Sequence, residues 1–185
     1  GLSMMALFAP GGERTFASPF ADGKLAVDAG QAYGSGNYAH VPMMIGATSA
    51  DIGGNTGIMI AGARRISGQL AAQGRPVYEY RFSYVAESER APGAGHATEI
   101  PYFFDTTAVK YGAKTTPRDI AMGKTTSAYL VNFVKTGDPN GAGLPAWPRY
   151  AKASDQIMDF AADGKAKVLK DPLAAEIDAA PQSPR

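Results

Sequence analysis

Apolar and polar side chains alternate strictly between residues 77 and 85, which is the most regular pattern in the chain. One face of this segment carries Tyr78, Tyr80, Phe82 and Tyr84, and the other carries Glu79, Arg81 and Ser83. A period of two is typical of a β-strand, because successive side chains point to opposite faces of a sheet. The continuous apolar run at 41–46 favours a strand buried on both faces, as at the centre of a parallel sheet. A third, short strand is expected near residues 157–160.

Two segments have the spacing of amphipathic helices. In residues 58–73 apolar side chains recur at helical intervals, and Gly74 is placed to end the helix. A second helix is predicted to begin at Thr116, which can cap the first turn and has an acid, Asp119, three residues on. Gly137 is predicted to end it. Its expected apolar face consists of Met122, Tyr129, Leu130, Phe133 and Val134.

The order of these elements predicts an α/β fold. Strand, helix, strand and helix follow one another, which indicates a sheet of few, mainly parallel strands with flanking helices. Two or three strands cannot make a well-covered parallel sheet unaided, so this sheet is expected to be incomplete on its own. Residues 1–40 are expected to be mostly loop, 138–141 a turn, and 174–180 one or two helical turns.

Composition restricts the possible functions. The chain has 185 residues, 45% of them hydrophobic and 19% charged, with a net charge of +1, which is typical of a globular domain. Its basic residues are scattered, so no nucleic-acid-binding surface is expected. No apolar run is long enough to span a bilayer. The absence of cysteine excludes disulfides, cysteine-ligated zinc and a thiol nucleophile. We expect neither a cofactor nor a bound metal, and the composition leaves the cellular compartment open.

The candidate catalytic base is His96, one of two histidines in the sequence. It follows a Gly- and Ala-rich loop beyond the strand at 77–85, and catalytic groups of α/β folds cluster beyond the C-terminal ends of strands. A neutral imidazole there can accept a proton at neutral pH. The alternative is a structural loop histidine. His40 precedes the strand at 41–46, at the end away from such a site, and is expected to be structural.

The candidate acid is Asp51, in the turn beyond the strand at 41–46. A carboxylate there could accept the Nδ1–H of an imidazole from a neighbouring strand end, fixing its tautomer and stabilising the imidazolium. The alternative is a turn aspartate that caps a backbone N–H. The order of acid before histidine is the one expected for α/β-hydrolases. No G-x-S-x-G nucleophile motif occurs in the 185 residues. Ser49 and Ser83 are poor substitutes, because one lies in the acid turn and the other within a strand.

Three segments resemble the type B carboxylesterases, the group that includes para-nitrobenzyl esterases and cholinesterases. Residues 93–103, GAGHATEIPYF, are similar to the segment around the catalytic histidine of that family. Residues 130–150, LVNFVKTGDPNGAGLPAWPRY, are similar to its Gly-Asp-Pro-Asn segment and the Leu-Pro-x-Trp-Pro-x-Tyr that follows. Residues 41–53, VPMMIGATSADIG, resemble the strand and turn that carry the catalytic acid.

The resemblance implies an α/β-hydrolase fold and a serine ester hydrolase whose substrate is a small-molecule ester. It implies that His96 is the catalytic histidine and that Asp51 is the acid, at a position where many family members have Glu. Glu99 matches a family position outside the triad and is expected to be structural. It further implies that residues 1–185 are a single C-terminal segment of an α/β-hydrolase domain. The N-terminal part, with the nucleophile and the oxyanion loop, would then be absent and the chain alone inactive.

The spacing of the candidate pair differs from that of the family. Asp51 and His96 are only 45 positions apart, where the family has a longer helical insertion. Either that region is deleted, which would leave the site more open, or segments are missing between the residues given.

We also expect association with an N-terminal esterase segment, or self-association. The alternative function is a non-catalytic, hydrolase-like half-domain that acts by associating with another chain. Tyr102, Phe103 and Phe104 could line a pocket near His96, although aromatics after a loop are more often core.

Overall fold

The computed structural model describes residues 22–180, and the chain divides into two compact units after residue 38. The described part of the first unit contains a short helix, α1 (Ala29–Ser35). Residues 22–40 are otherwise loop, as predicted, and α1 forms because the Asp28 carboxylate accepts a hydrogen bond from a backbone N–H of the first turn and Gly36 ends the helix with φ 79°. The same prediction for residues 1–21 lies outside the described residues.

The second unit contains a four-stranded sheet with helices packed against it. In chain order its elements are β1 (Met43–Thr48), α2 (Ile60–Ala72), β2 (Val77–Phe82), α3 (Ile100–Phe103), α4 (Thr107–Tyr111), a 3₁₀ helix (Gly112–Lys114), α5 (Pro117–Thr136), β3 (Gln156–Phe160), β4 (Ala166–Lys170) and α6 (Ala174–Ala179). The strand order is β1-β2-β3-β4; β2 is parallel to β1 and to β3, and β4 is antiparallel to β3. These few, mainly parallel strands confirm the predicted fold class.

The two strands that precede the candidate site lie close to their predicted positions. β1 begins at Met43 rather than at Val41, because Pro42 has no N–H and the ladder starts where the Met43 N–H donates to the Pro76 carbonyl oxygen at 2.9 Å. β2 ends at Phe82, although the alternation of its sequence continues further. The parallel pairing of β1 and β2 brings their C-terminal ends to the same edge of the sheet.

The end of the chain combines one confirmed and one unpredicted element. α6 lies within the predicted helical segment at 174–180. β4 is not indicated by the sequence pattern, since AKVLK has no regular alternation. It forms by antiparallel pairing with β3, from Gln156 opposite Lys170 to Phe160 opposite Ala166.

The long helices begin and end as their local signals predict. The Thr116 side chain accepts a hydrogen bond from the Asp119 N–H at 3.3 Å, and the Asp119 carboxylate accepts one from the Thr116 N–H at 2.8 Å. This reciprocal cap satisfies two backbone donors at the start of α5. Gly137, with φ 76°, ends α5, and Gly74, with φ 73°, follows α2.

An aromatic core lies between one face of the sheet and helices α3 and α5. Its largest fully buried side chains are Tyr78, Phe82, Tyr84, Tyr102, Met122, Tyr129, Trp147, Met158 and Phe160. The Trp147 ring meets Tyr129 edge-on, with 5.3 Å between ring centroids, and its indole N–H donates to the Glu79 carbonyl oxygen at 3.2 Å. Edge-on aromatic pairs each add about 0.5–1.5 kcal/mol beyond the burial of area. The core therefore fixes β2, and with it the start of the loop that carries His96.

The polar face of β2 is buried as well, which its alternating sequence does not indicate. Glu79 is 1% exposed and lies near the charges of Arg64 of α2 and Arg81, and Arg81 is 6% exposed and forms an ion pair with Asp171 at 3.8 Å. The Arg64 guanidinium forms ion pairs with three carboxylates: Asp155 at 2.5 Å, Asp178 at 3.0 Å and Asp171 at 3.4 Å. Burial raises the pKa of Glu79 to about 7, although Ser67 and the two arginines oppose the rise.

Candidate active site

The turn after β1 holds the Asp51 carboxylate in place. Its Oδ2 accepts a hydrogen bond from the Thr48 N–H at 3.0 Å, and its Oδ1 accepts one from the Ile52 N–H at 2.7 Å. Asp51 is 6% exposed. The carboxylate therefore does cap its own turn, as the alternative interpretation held, and the same two backbone bonds fix the direction in which it points.

The loop after β2 carries His96 back to this turn. The Ala50 N–H donates to the Ala94 carbonyl oxygen at 2.8 Å, and Ala50 forms a parallel bridge with Gly95. The Ala94 N–H in turn donates to Ser49 Oγ at 3.0 Å. These bonds extend the pairing of β1 and β2 beyond their ends. The sequence pattern did not predict this link.

The structure brings the two candidate residues together. His96 Nδ1 lies 2.7 Å from Asp51 Oδ1, a distance at which the Nδ1–H donates to the carboxylate. The Asp51 side chain is 3% exposed, whereas the His96 side chain is 41% exposed. No hydrogen bond joins Nε2 of this ring to another residue in the described part of the chain. With Nδ1 occupied, the neutral ring presents the Nε2 lone pair, which can accept a proton.

Asp51 is ionised at neutral pH. Burial by itself would raise the pKa of this carboxyl group, but the Ile52 and Thr48 N–H groups and the His96 ring donate to it, and together they hold its pKa below the ordinary value. A buried carboxylate of this kind can stabilise an imidazolium when the ring takes up a proton.

Glu99 lies close to the pair, at a position expected to be structural. Its Oε2 is buried without a hydrogen-bond partner. Burial raises the pKa of this carboxyl group, the negative charge of Asp51 adds to the rise, and His96 opposes it. The side chain thus adds a second acid beside the imidazole, although no hydrogen bond joins Glu99 to either member of the pair.

An apolar cleft of about 350 Å³ adjoins Glu99. It is lined by Met44, Tyr80, Glu99, Ile100, Phe103, Phe104, Leu130, Phe133 and Val134. Of the three aromatics considered as pocket residues, Tyr102 is in the core at 1% exposure, Phe103 lies at both core and cleft, and Phe104 is 68% exposed. Val134, predicted on the apolar face of α5, is 74% exposed at the cleft, where no other described element of the second unit covers it.

The other candidate residues lie apart from the pair or have different partners. His40 is exposed, precedes β1 at the opposite end of that strand, and contacts the Arg75 guanidinium at 3.3 Å. Ser49 and Ser83 line a separate cavity of about 210 Å³ on the polar side of the sheet. Within residues 22–180, no group of three or more His, Asp and Glu side chains is arranged to hold a metal ion. No helix there has the length and apolar character needed to cross a bilayer.

Comparison with known proteins gives one consistent family. Residues 55–177 match the sequence model described as the Carboxylesterase family. Carboxylesterase 4A of Bos taurus is 37% identical over 83 residues, and carboxylesterase 1C of Rattus norvegicus is 32% identical over 110 residues. These alignments cover 43% and 57% of this chain. A solved carboxylesterase structure from Geobacillus stearothermophilus is 32% identical and superposes on 66% of the chain with a TM-score of 0.55.

The chain spans a small part of each relative. The alignments cover 15% of the bovine protein, 20% of the rat protein and 25% of the Geobacillus chain. The open four-stranded sheet is thus similar to part of a carboxylesterase α/β-hydrolase fold. His96 lies inside the segment that matches the family model, and Asp51 lies four residues before its first residue, Asn55.

Proposed function

Because the chain belongs to the carboxylesterase family, we propose that it contributes the base, His96, and the acid, Asp51, to a serine-type hydrolysis of a small-molecule carboxylic ester. The observation that best supports this role is the 2.7 Å contact between Nδ1 of His96 and Oδ1 of Asp51. The contact joins a buried, ionised carboxylate to a partly exposed imidazole, which is the arrangement that a general base requires.

The proposed reaction uses the free nitrogen of the imidazole. As a serine hydroxyl attacks the ester carbonyl, Nε2 of His96 takes the hydroxyl proton, and Asp51 stabilises the imidazolium. When the carbon–oxygen bond to the alcohol breaks, the same nitrogen gives that proton to the leaving alkoxide. A water molecule then attacks the acyl-enzyme, His96 takes its proton and returns it to the serine, and the carboxylic acid leaves.

The nucleophile in this proposal comes from a segment outside the 185 residues, which contain no G-x-S-x-G motif. We propose that this chain is the C-terminal segment of an α/β-hydrolase domain and that an N-terminal esterase segment completes it. This agrees with the small share of each relative that the chain spans. The oxyanion-binding N–H groups would belong to the same absent segment.

The free edge of β1 supports association with such a segment. The N–H groups of Met43 and Ser49 point towards β2, so the alternation of the ladder directs those of Met44 and Gly46 away from it. No described residue pairs with this edge. Three exposed apolar side chains line the same cleft as Met44 of β1: Ile100 at 51%, Phe104 at 68% and Val134 at 74%. A further parallel strand would satisfy the edge, and the helix following it would cover the apolar side chains.

The test of the proposed reaction is labelling of the native protein with a fluorophosphonate, which reacts with activated serines. We expect a labelled serine in the polypeptide or complex that contains this chain, and hydrolysis of a para-nitrophenyl ester by the same material. His96→Gln should abolish both, whereas His40→Gln, the matched control, should retain them. Labelling and turnover that survive His96→Gln would refute the proposed base.

A second test concerns the 185-residue chain by itself. We expect it to hydrolyse a para-nitrophenyl ester no faster than its His96→Gln variant, since it contains no activated serine. Turnover that an organophosphate inhibits would refute this expectation. Sedimentation of the same sample tests the alternative of self-association. Val109 is an exposed residue of α4, and Val109→Lys serves as the control for Met44→Lys. A dimer that is lost in Met44→Lys but retained in Val109→Lys would show that copies of the chain pair through the β1 edge.

A further inference from the structure

A serine links the two loops that carry the candidate pair. Ser49 Oγ accepts a hydrogen bond from the Ala94 N–H at 3.0 Å, and the Ala50 N–H donates to the Ala94 carbonyl oxygen at 2.8 Å. Both backbone groups of Ala94, which is 1% exposed, are therefore bound by the acid turn. Asp51 lies two residues after Ser49, and His96 lies two residues after Ala94. The contact between Asp51 and His96 thus continues a short ladder that begins at Ser49.

The two loops also approach closely enough to crowd a side chain at residue 93. A Cβ added to Gly93 would lie 3.1 Å from Ala50 Cβ and 3.1 Å from Ser49 Oγ. Both distances are shorter than an ordinary van der Waals contact. Ser49 itself is fixed, because its N–H donates to the Phe82 carbonyl oxygen of β2 at 2.9 Å. Ser49 Oγ consequently binds the histidine loop from a rigid position at the end of β1.

We propose that Ser49 is a positioning residue for the Asp51–His96 pair. Its hydroxyl orients the 94–95 peptide segment so that the imidazole arrives with Nδ1 towards Oδ1 of Asp51. Without the hydroxyl, the buried Ala94 N–H loses its acceptor, and the histidine loop can turn away from the acid. The importance of this position for catalysis rests on the proposed function, but the position itself can be measured without any activity.

The test is ¹⁵N NMR of the His96 ring in the folded chain, which distinguishes a proton on Nδ1 from one on Nε2. In the wild type we expect the neutral ring to carry its proton on Nδ1. In Ser49→Ala we expect a larger fraction of neutral His96 rings to carry the proton on Nε2. This fraction should lie between those of the wild type and of Asp51→Asn. Ser83→Ala is the matched control, because it removes a hydroxyl from the same cavity and should leave the His96 spectrum unchanged.

Gly93→Ala provides an independent variant, since it should separate the same loops by steric contact and shift the tautomer in the same direction. A folded Ser49→Ala chain with the wild-type His96 spectrum would overturn the proposal. So would an equal change in Ser83→Ala, which would indicate a general loss of structure. Failure of the proposed function is a separate outcome. In that case the His96→Gln variant of the native protein would still be labelled by the fluorophosphonate, while the Ser49→Ala chain would still show the tautomer shift.

Discussion

Nδ1 of His96 lies 2.7 Å from Oδ1 of Asp51, although 45 positions separate the two residues in the chain. The acid is nearly inaccessible and is bound by two backbone N–H groups, while the imidazole is partly exposed. One partner is therefore fixed by its own turn, and the other can meet a substrate. The two residues meet because the parallel pairing of β1 and β2 brings both loops to one edge of the sheet.

Replacing the acid should slow the reaction. Asp51→Asn keeps the size of the side chain but carries no charge, so it can no longer stabilise the imidazolium and favours the Nδ1–H tautomer less strongly. We expect kcat of the native protein on a para-nitrophenyl ester to fall by about 10²–10⁴-fold. Asp51→Glu should retain more activity than Asp51→Asn, because it keeps the charge. Equal activity of Asp51→Asn and the wild type would contradict the role of the carboxylate.

The buried Glu79 should make stability depend on pH near neutrality. Burial raises its pKa to about 7 in the folded chain, above its ordinary value of 4.5. As pH rises between these values, the unfolded chain releases the proton and the folded chain keeps it, so stability falls as pH rises. Glu79→Gln should remove this decrease, which amounts to at most about 3 kcal/mol.

The measurement is urea unfolding of wild type and Glu79→Gln at pH values from 5 to 8, with the exposed Glu89→Gln as control. The difference in unfolding free energy between Glu79→Gln and the wild type should grow with pH. The Glu89→Gln curve should run parallel to that of the wild type. A constant difference across the range would show that Glu79 does not change its protonation on folding.

Arg64 should be essential to stability. Arg64→Met leaves the buried carboxylate of Asp155 without its ion-pair partner and leaves Asp171 with Arg81 alone, at 3.8 Å. Removing one partner of a buried ion pair lowers the free energy of unfolding by about 3–5 kcal/mol. Arg65→Met is the matched control, since the neighbouring arginine is exposed, and it should change stability by less than about 0.5 kcal/mol. Thermal unfolding of the two variants tests the difference, and similar melting temperatures would contradict it.

Local signals in the sequence were sufficient for the ends of α5 and for the approximate positions of β1, β2 and β3. Thr116 and Asp119 cap α5 through bonds within one turn, and Gly137 ends it through its own backbone conformation. The alternation in β2 also identified a strand correctly. It did not indicate that Glu79 and Arg81 are buried, because that depends on Arg64 of α2 and on the carboxylates that follow in the chain.

For the candidate site, the sequence determined which residues lie beyond the two strand ends: His96 in one loop and Asp51 in one turn. Only the tertiary structure brought Nδ1 and Oδ1 into contact, paired Ser49 and Ala50 with Ala94, and added β4 to the sheet. The physical reason is the range of the interactions. A cap or a strand period involves a few neighbouring residues, whereas these contacts join residues far apart in the chain and require the parallel register of β1 on β2 and the packing of the core beneath it.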